Sequence, residues 1–288
     1  MSRVSRSISA LVAACILFIG APTTHSSELN LPDIGTDANV TISLDDEYRL
    51  GSMAMREIRN QGQVLEDPEV SEYLNNMGNR LASFTQSPTQ KFQFFLVKEG
   101  EINAFALPGG FIGINAGLLL ATHNESELAG VIAHEISHVT QRHFAHAIAA
   151  QSRNNVVSTA ALLASIMLGA SGSPDAAIAG ISAAQSIALN NQMSFSRDNE
   201  SDADNVGIRL VSRAGYDPNG MWQFFEVLQQ EHGTVAESDI PSILRSHPVT
   251  IERIAETRSR AKSIEVPNIP DSTTYEMMRE RIRVLMTP

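Results

Sequence analysis

Five consecutive residues, His134-Glu135-Ile136-Ser137-His138, form an HExxH pattern. On a helix each residue turns about 100°, so His138 stands about 40° from His134 and one turn along. Both imidazoles then reach one small cation, and Glu135 sits on the rim of the same face, where its carboxylate can touch a water held there. Two neutral imidazoles and a carboxylate suit zinc, with one position left open for water. Bound in this way, the water drops to a pKa of about 7 and a carbonyl is polarised. The expected chemistry is metal-assisted hydrolysis with one Zn2+ per chain, ligated by His134 and His138, and with Glu135 as the base.

A third ligand must come from elsewhere. The HExxHxxGxxH arrangement is excluded, because Gln141 and Phe144 stand where it needs glycine and histidine. On the helical wheel His143 and His146 fall about 180° and 120° from His134 and point elsewhere, as surface or second-layer groups. The other solution is a glutamate from a second helix, and Asn199-Glu200-Ser201-Asp202-Ala203-Asp204 supplies it. Glu200 and Asp204 lie one above the other, so Glu200 is the expected ligand. Asp204 is expected to accept a proton from a ligand histidine and fix its tautomer. Alone, such a cluster reads as a solvated helix face; the HExxH pattern makes it a ligand source.

These residues need elements to hold them. Asn124 caps a long amphipathic helix, expected to run to about residue 150, with Leu128, Val131, Ile132, Ile136 and Val139 on its apolar face. The acidic cluster opens a helix from about 196 to 214, stopped by Gly215. Upstream, Ser43 with Asp46 is a capping box, and Asp67-Pro68 is a cap followed by a first-turn proline. Residues 92–97, 102–106 and 111–115 are β-type runs, with Pro108-Gly109-Gly110 turning the chain between the last two. A small antiparallel sheet or hairpin is expected. Further helices are expected near 250–263 and 272–285. The pattern is α+β and mainly helical, a single domain over residues 28–288.

Composition narrows the partners. The 288 residues are 43% apolar and 18% charged, enough for one sizeable core. A net charge of -11 repels phosphate backbones, which argues against nucleic-acid binding. Cys15 is the single cysteine, so neither an intrachain disulfide nor a cysteine-ligated metal is available.

Residues 1–27 read as a cleaved signal peptide: Arg3 and Arg6 precede an apolar run from Ile8 to Ala21, followed by small polar residues. Val12-Ala13-Ala14-Cys15 loosely matches a lipoprotein box, but the apolar run continues through Ile19, which argues against anchoring at Cys15. A periplasmic location is expected. Between Arg153 and Arg197 the only charge is Asp175. The two apolar segments there are each about 20 Å long as helix, short of the ~30 Å of a bilayer core. They read as two core helices, or as a hairpin over 155–193 that acts as a lid or touches a membrane face.

His134 to His138, the Glu200 and Asp204 pair, Ile102-Asn103-Ala104-Phe105-Ala106-Leu107-Pro108-Gly109-Gly110 and Ser246-His247-Pro248 resemble the zinc metallopeptidase family of the CaaX prenyl protease and HtpX. Within that family the chain is most similar to the exported, soluble branch typified by the β-barrel assembly-enhancing protease, through Leu31-Pro32-Asp33-Ile34-Gly35 and residues 134–143 as well. The resemblance runs in order over residues 28–288. It implies a gluzincin-type zincin fold, with His134, His138 and Glu200 as zinc ligands and Glu135 as catalytic base. It further implies that His247 reaches the metal, as an auto-inhibitory latch or a transition-state group, with Arg253 near the same site. That branch continues into C-terminal tetratricopeptide repeats that contact the outer-membrane assembly machinery. The present sequence contains none up to Pro288, so contact with that machinery is an expectation of the resemblance alone.

The expected activity is a periplasmic zinc endopeptidase acting on unfolded or misassembled envelope proteins. An extended peptide would lie along a sheet edge at Asn103, Ala104, Phe105 and Ala106, where backbone pairing is indifferent to side chains. The alternative is a non-proteolytic, chaperone-like binding module whose zinc is structural or is silenced by His247 as a fourth ligand.

Overall fold

A computed structural model describes residues 42–87, 90–154, 196–233, 242–265 and 272–287. The signal peptide, Cys15 and the 155–193 hairpin expected from the sequence lie outside the described residues.

Helix α1 (Leu44–Asn60) begins where the Asp46 amide donates to Ser43 Oγ, and α2 (Pro68–Ala82) where the Val70 amide donates to Asp67 Oδ1. Each cap satisfies an amide that the first helical turn leaves without a partner. Three strands follow: β1 (Gln93–Val97), β2 (Ala104–Leu107) and β3 (Phe111–Asn115). The sheet is mixed rather than antiparallel. Its order is β1-β3-β2, with β1 parallel to β3 and β2 antiparallel to it. The tight turn at Pro108–Gly110 makes the expected hairpin of β2 and β3. The parallel pair arises because residues 98–103 cross the end of β3, from one of its flanks to the other. Asn115 donates to the Asn103 carbonyl and Gly117 to that of Glu99 along this crossing. A Cβ on Gly117 would stand 2.1 Å from the Gly100 carbonyl oxygen, so the crossing requires glycine there.

A short helix α3 (Ala116–Ala121) leads to α4 (Glu125–Thr140), capped by Asn124. All residues of α4 from Glu127 to His138 are buried, so this helix is the axis of the molecule. It packs against α6 (Arg197–Arg213), α7 (Asn219–Gly233), α2 and β2. The main core joins Leu74, Leu81, Phe94, Ile112, Leu128, Ile132, Leu210 and Phe224 across these layers.

The expected unbroken helix to about residue 150 is two helices. Arg142 takes a left-handed φ of 52°, and α5 (His143–Asn154) starts beyond it. Such a backbone costs roughly 1–2 kcal/mol in a residue other than glycine. It is offset by the Arg142 guanidinium, which donates to Glu47 Oε1 at 2.9 Å and to the Ile42 carbonyl at 2.8 Å. The chain closes with α8 (Ser242–Ser246), α9 (Ile251–Lys262) and α10 (Thr273–Leu285). Helix α10 buries Tyr275, Met278 and Ile282 in the core. Among the described residues, no helix is long and apolar enough to cross a membrane.

Candidate metal centre

Helix α4 places His134 and His138 one turn apart, and their Nε2 atoms approach to 3.0 Å. Helix α6 crosses beside them and brings Glu200. Its Oε2 lies 3.4 Å from His134 Nε2, and its Oε1 lies 3.4 Å from His138 Nε2. Gly207, two turns beyond Glu200, allows the close crossing: a Cβ there would stand 3.3 Å from the His134 amide and 2.7 Å from Met221 Cε. After α8, the chain delivers His247, whose Nδ1 lies 2.9 Å from Glu200 Oε1 and 3.4 Å from His134 Nε2. One donor atom from each of His134, His138, Glu200 and His247 lies within 4.8 Å of the other three, and all four residues are buried.

This donor set fits a metal ion. Tetrahedral zinc ligands at about 2.0–2.1 Å from the ion stand about 3.4 Å from one another, close to the spacings above. Glu135 is 1% exposed, and its Oε1 has no hydrogen-bond partner among the described residues, at 3.6 Å from His247 Nε2. A buried carboxylate oxygen of this kind awaits a donor that the side chains around it do not supply. The residues that would hold the ion are His134, His138 and Glu200, with His247 in reach of the same point.

A further ring of groups holds the ligands. His134 Nδ1 lies 2.9 Å from Asp204 Oδ1. Arg253 donates through Nε and Nη2 to the two Asp204 oxygens at 2.7 and 2.9 Å, and its Nη1 lies 2.6 Å from Glu200 Oε2. Its guanidinium also stacks on Phe225 at 4.6 Å and bonds the Pro248 carbonyl, which ties the His247 segment to the acidic helix. Burial works against a charge on Asp204, but Arg253 outweighs it and holds the carboxyl below its usual range. Glu200 is also held low: burial would raise it, and the neighbouring His247 and His134 more than compensate. For His134 burial favours the neutral ring, yet Asp204 and Glu200 keep the proton on and push the pKa up to about 9. Burial, reinforced by the adjacent His134, drives His138 well below the ordinary histidine value.

The structure brings together most of the residues singled out from sequence: His134, Glu135, His138, Glu200, Asp204, His247 and Arg253. Residues 103–106 contribute no donor atom to this cluster. Ala104 is fully buried, and Phe105 packs edge-on against Phe95. Strand β2 is the edge of the sheet, however. A narrow cleft is lined by Ala106 and Leu107 of this strand together with His138, Val139, Arg142 and Glu47.

His143 was expected to point away from His134, as a surface or second-layer group; it turns towards the cluster, behind His138. It is 4% exposed, and its Nδ1 lies 2.9 Å from Nδ1 of His138. The helical wheel misplaced it because the wheel assumed an unbroken helix. The break at Arg142 turns α5 so that its first residue faces back towards the cluster. Burial, with a smaller contribution from His134, lowers the His143 pKa to about 4.

The sequence pattern of peptidase family M48 matches residues 68–261, a span that holds His134, Glu135, His138, Glu200, Asp204, His247 and Arg253. The chain is 38% identical over 273 residues to a putative beta-barrel assembly-enhancing protease of Vibrio cholerae, covering 94% of this chain and 56% of that protein. It is 36% identical over 274 residues to the beta-barrel assembly-enhancing protease of Escherichia coli K12, covering 95% and 56% respectively. With the Yersinia pestis protein of the same name it shares 38% identity over 252 residues, 88% of this chain and 51% of that one. The chain therefore spans about half the length of these relatives.

Proposed function

The chain belongs to peptidase family M48, and on that premise we propose that it is a periplasmic zinc endopeptidase that cleaves unfolded or misassembled envelope proteins. The observation that carries the reading is the convergence of His134, His138 and Glu200 on one point, with Glu135 beside it, whose Oε1 makes no hydrogen bond among the described residues. A bound zinc ion supplies a Lewis acid that polarises the scissile carbonyl and acidifies water.

The chain's own residues do the rest. Glu135 accepts a proton from the attacking water and passes it to the leaving amine. Asp204 holds His134 in the tautomer that presents Nε2 to the ion, and Arg253 holds Asp204 and Glu200 in place. An extended peptide adds to the edge of β2, along Asn103, Ala104, Phe105 and Ala106, beside the cleft between β2 and α4. Pairing of that kind needs an extended backbone, which unfolded proteins offer and folded ones withhold.

His247 is the resting latch. It lies between Glu135 and Glu200, within reach of the point where the ion binds, and so occupies the space that substrate and water require. The names of the relatives speak of beta-barrel assembly; that this chain acts on outer-membrane proteins and contacts their assembly machinery belongs to this proposal. The same four-residue cluster, permanently closed, is what a silent binding module would have.

Degradation of casein by the zinc-loaded chain separates the two readings. Glu135→Gln should retain zinc and lose activity by at least about a hundredfold, as removal of a general base does. His247→Ala should raise activity. Equal inertness of all three proteins, each holding one zinc, would sink the peptidase and favour the binding module.

A further inference from the structure

The metal-facing nitrogen of His138 is Nε2, which lies 3.0 Å from His134 Nε2 and 3.4 Å from Glu200 Oε1. A neutral imidazole carries one N–H and one bare nitrogen. If Nε2 is to donate its lone pair to an ion, the proton must sit on Nδ1, and that N–H needs an acceptor in a buried setting. For His134 the corresponding group is a carboxylate, Asp204, at 2.9 Å. For His138 the atom 2.9 Å from Nδ1 is Nδ1 of another histidine, His143. The two rings meet edge to face, with centroids 4.8 Å apart and planes at 75°.

We propose that His143 is a positioning residue for the metal ligand His138. Its bare Nδ1 accepts the Nδ1–H of His138 and fixes the tautomer in which His138 presents Nε2 to the ion. This rests on the metallopeptidase reading and adds a residue to it. His143 carries its own proton on Nε2 and never touches ion or substrate.

The placement is built, not incidental. On an unbroken helix His143 would stand about 140° from His138 and could not face it. The left-handed backbone at Arg142 turns it back, and that backbone is held by the Arg142 bonds to Glu47 and the Ile42 carbonyl. A clasp on α1 thus sets the orientation of a metal ligand on α4. The arrangement also gives the two ligand histidines unlike partners: an anion behind His134 and a neutral ring behind His138. The first makes its ligand more basic, whereas the second fixes orientation and adds no charge to a site that already contains three carboxylates.

The test uses the full chain, His143→Phe and His143→Asn. Phenylalanine keeps the ring volume and has no acceptor. Asparagine hangs its Oδ1 on Cγ, where histidine carries Nδ1, and so restores an acceptor in nearly the same place. Zinc affinity is read by competition with a chelator, and the ring nitrogens of His138 by 15N NMR of the zinc-loaded protein. The expected result is zinc binding about 10- to 100-fold weaker in His143→Phe. His143→Asn should stay within about threefold of the unsubstituted chain. An exchange-protected Nδ1–H on His138 is expected in the unsubstituted protein.

Zinc binding unchanged in a folded His143→Phe, loss in His143→Asn equal to that in His143→Phe, or ligation of His138 through Nδ1 would each overturn the assignment. If His143→Phe does not fold, the asparagine variant and the ring spectrum still decide. Casein cleavage is measured alongside. Inactivity of every chain with the affinity pattern intact would remove the peptidase and leave the positioning role standing. Active enzyme with no affinity difference would do the reverse.

Discussion

Burial tends to strip the proton from His134, but Asp204 and Glu200 retain it up to about pH 9. A metal ion must displace that proton before Nε2 can ligate. Zinc uptake by the chelator-stripped protein is therefore expected to strengthen as pH rises from about 7 to about 9, by up to tenfold per unit for one proton released. Titration with zinc at several pH values checks this; a flat profile would contradict it. The same shift has a stability consequence of opposite sign. A histidine whose folded pKa exceeds its unfolded value stabilises the fold fully below about 6.5, and that contribution fades as pH passes through about 9. Urea midpoints of the stripped protein should fall across that window, and those of the zinc-loaded protein should not. At this scale most of the site was legible in the sequence. HExxH is a local pattern whose meaning depends only on helical pitch, and the Glu200 and Asp204 pair sits on one helix of its own. His143 was not legible, because its direction depends on Glu47, which precedes it by almost a hundred residues.

Two joints between elements carry testable energy. The clasp of Arg142 on Glu47 holds the break between α4 and α5, and Glu47 is buried enough that its carboxyl is pushed up despite the arginine. Arg142→Ala would leave that group without its partner, at a cost of about 3 kcal/mol. Adding Glu47→Met should recover much of the loss, since an apolar pair does not incur the desolvation cost of a lone carboxylate. Urea denaturation of the two variants measures both numbers. The second joint is Asp67, which caps α2 and also takes two bonds from Arg281 on α10, at 2.9 and 2.8 Å. The Arg281 bond holds its carboxyl below the ordinary value. A depressed carboxylate stabilises the fold above its unfolded pKa, near 3.8, and that stability is lost as pH falls through the lower folded value. Asp67→Ala should cost about 1–2 kcal/mol through the cap. It should also flatten the pH dependence of the unfolding midpoint below pH 4. Helix boundaries and caps were readable in the sequence because capping is a matter of three or four neighbouring residues. The parallel pairing of β1 with β3 was not, since strand order depends on where a loop crosses and leaves no local trace.

The four-residue cluster draws on α4, on α6 and on the loop before α9, so one ion would tie together three stretches far apart in sequence. An ion bound only by the folded chain stabilises it by mass action, about 4 kcal/mol at a thousandfold excess over Kd. For a chain of this size each kcal/mol shifts Tm by roughly 2–4 °C. Thermal melts with zinc and with excess chelator should therefore differ by about 10 °C; coincident melts would mean that the cluster binds no ion. At the same scale the net charge of -11 works against binding to a phosphate backbone.

Helix α10 has one more implication. Tyr275 donates to the Thr122 carbonyl from 153 positions away, and Arg281 reaches Asp67 across 214. Contacts of such separation form late, because loop closure must come before they contribute. While the chain is being made, the core around α2 and α3 stays open until α10 has emerged. A nascent chain of this architecture thus keeps an exposed interior until α10 docks, and until then it resembles the unfolded chains proposed as its substrates.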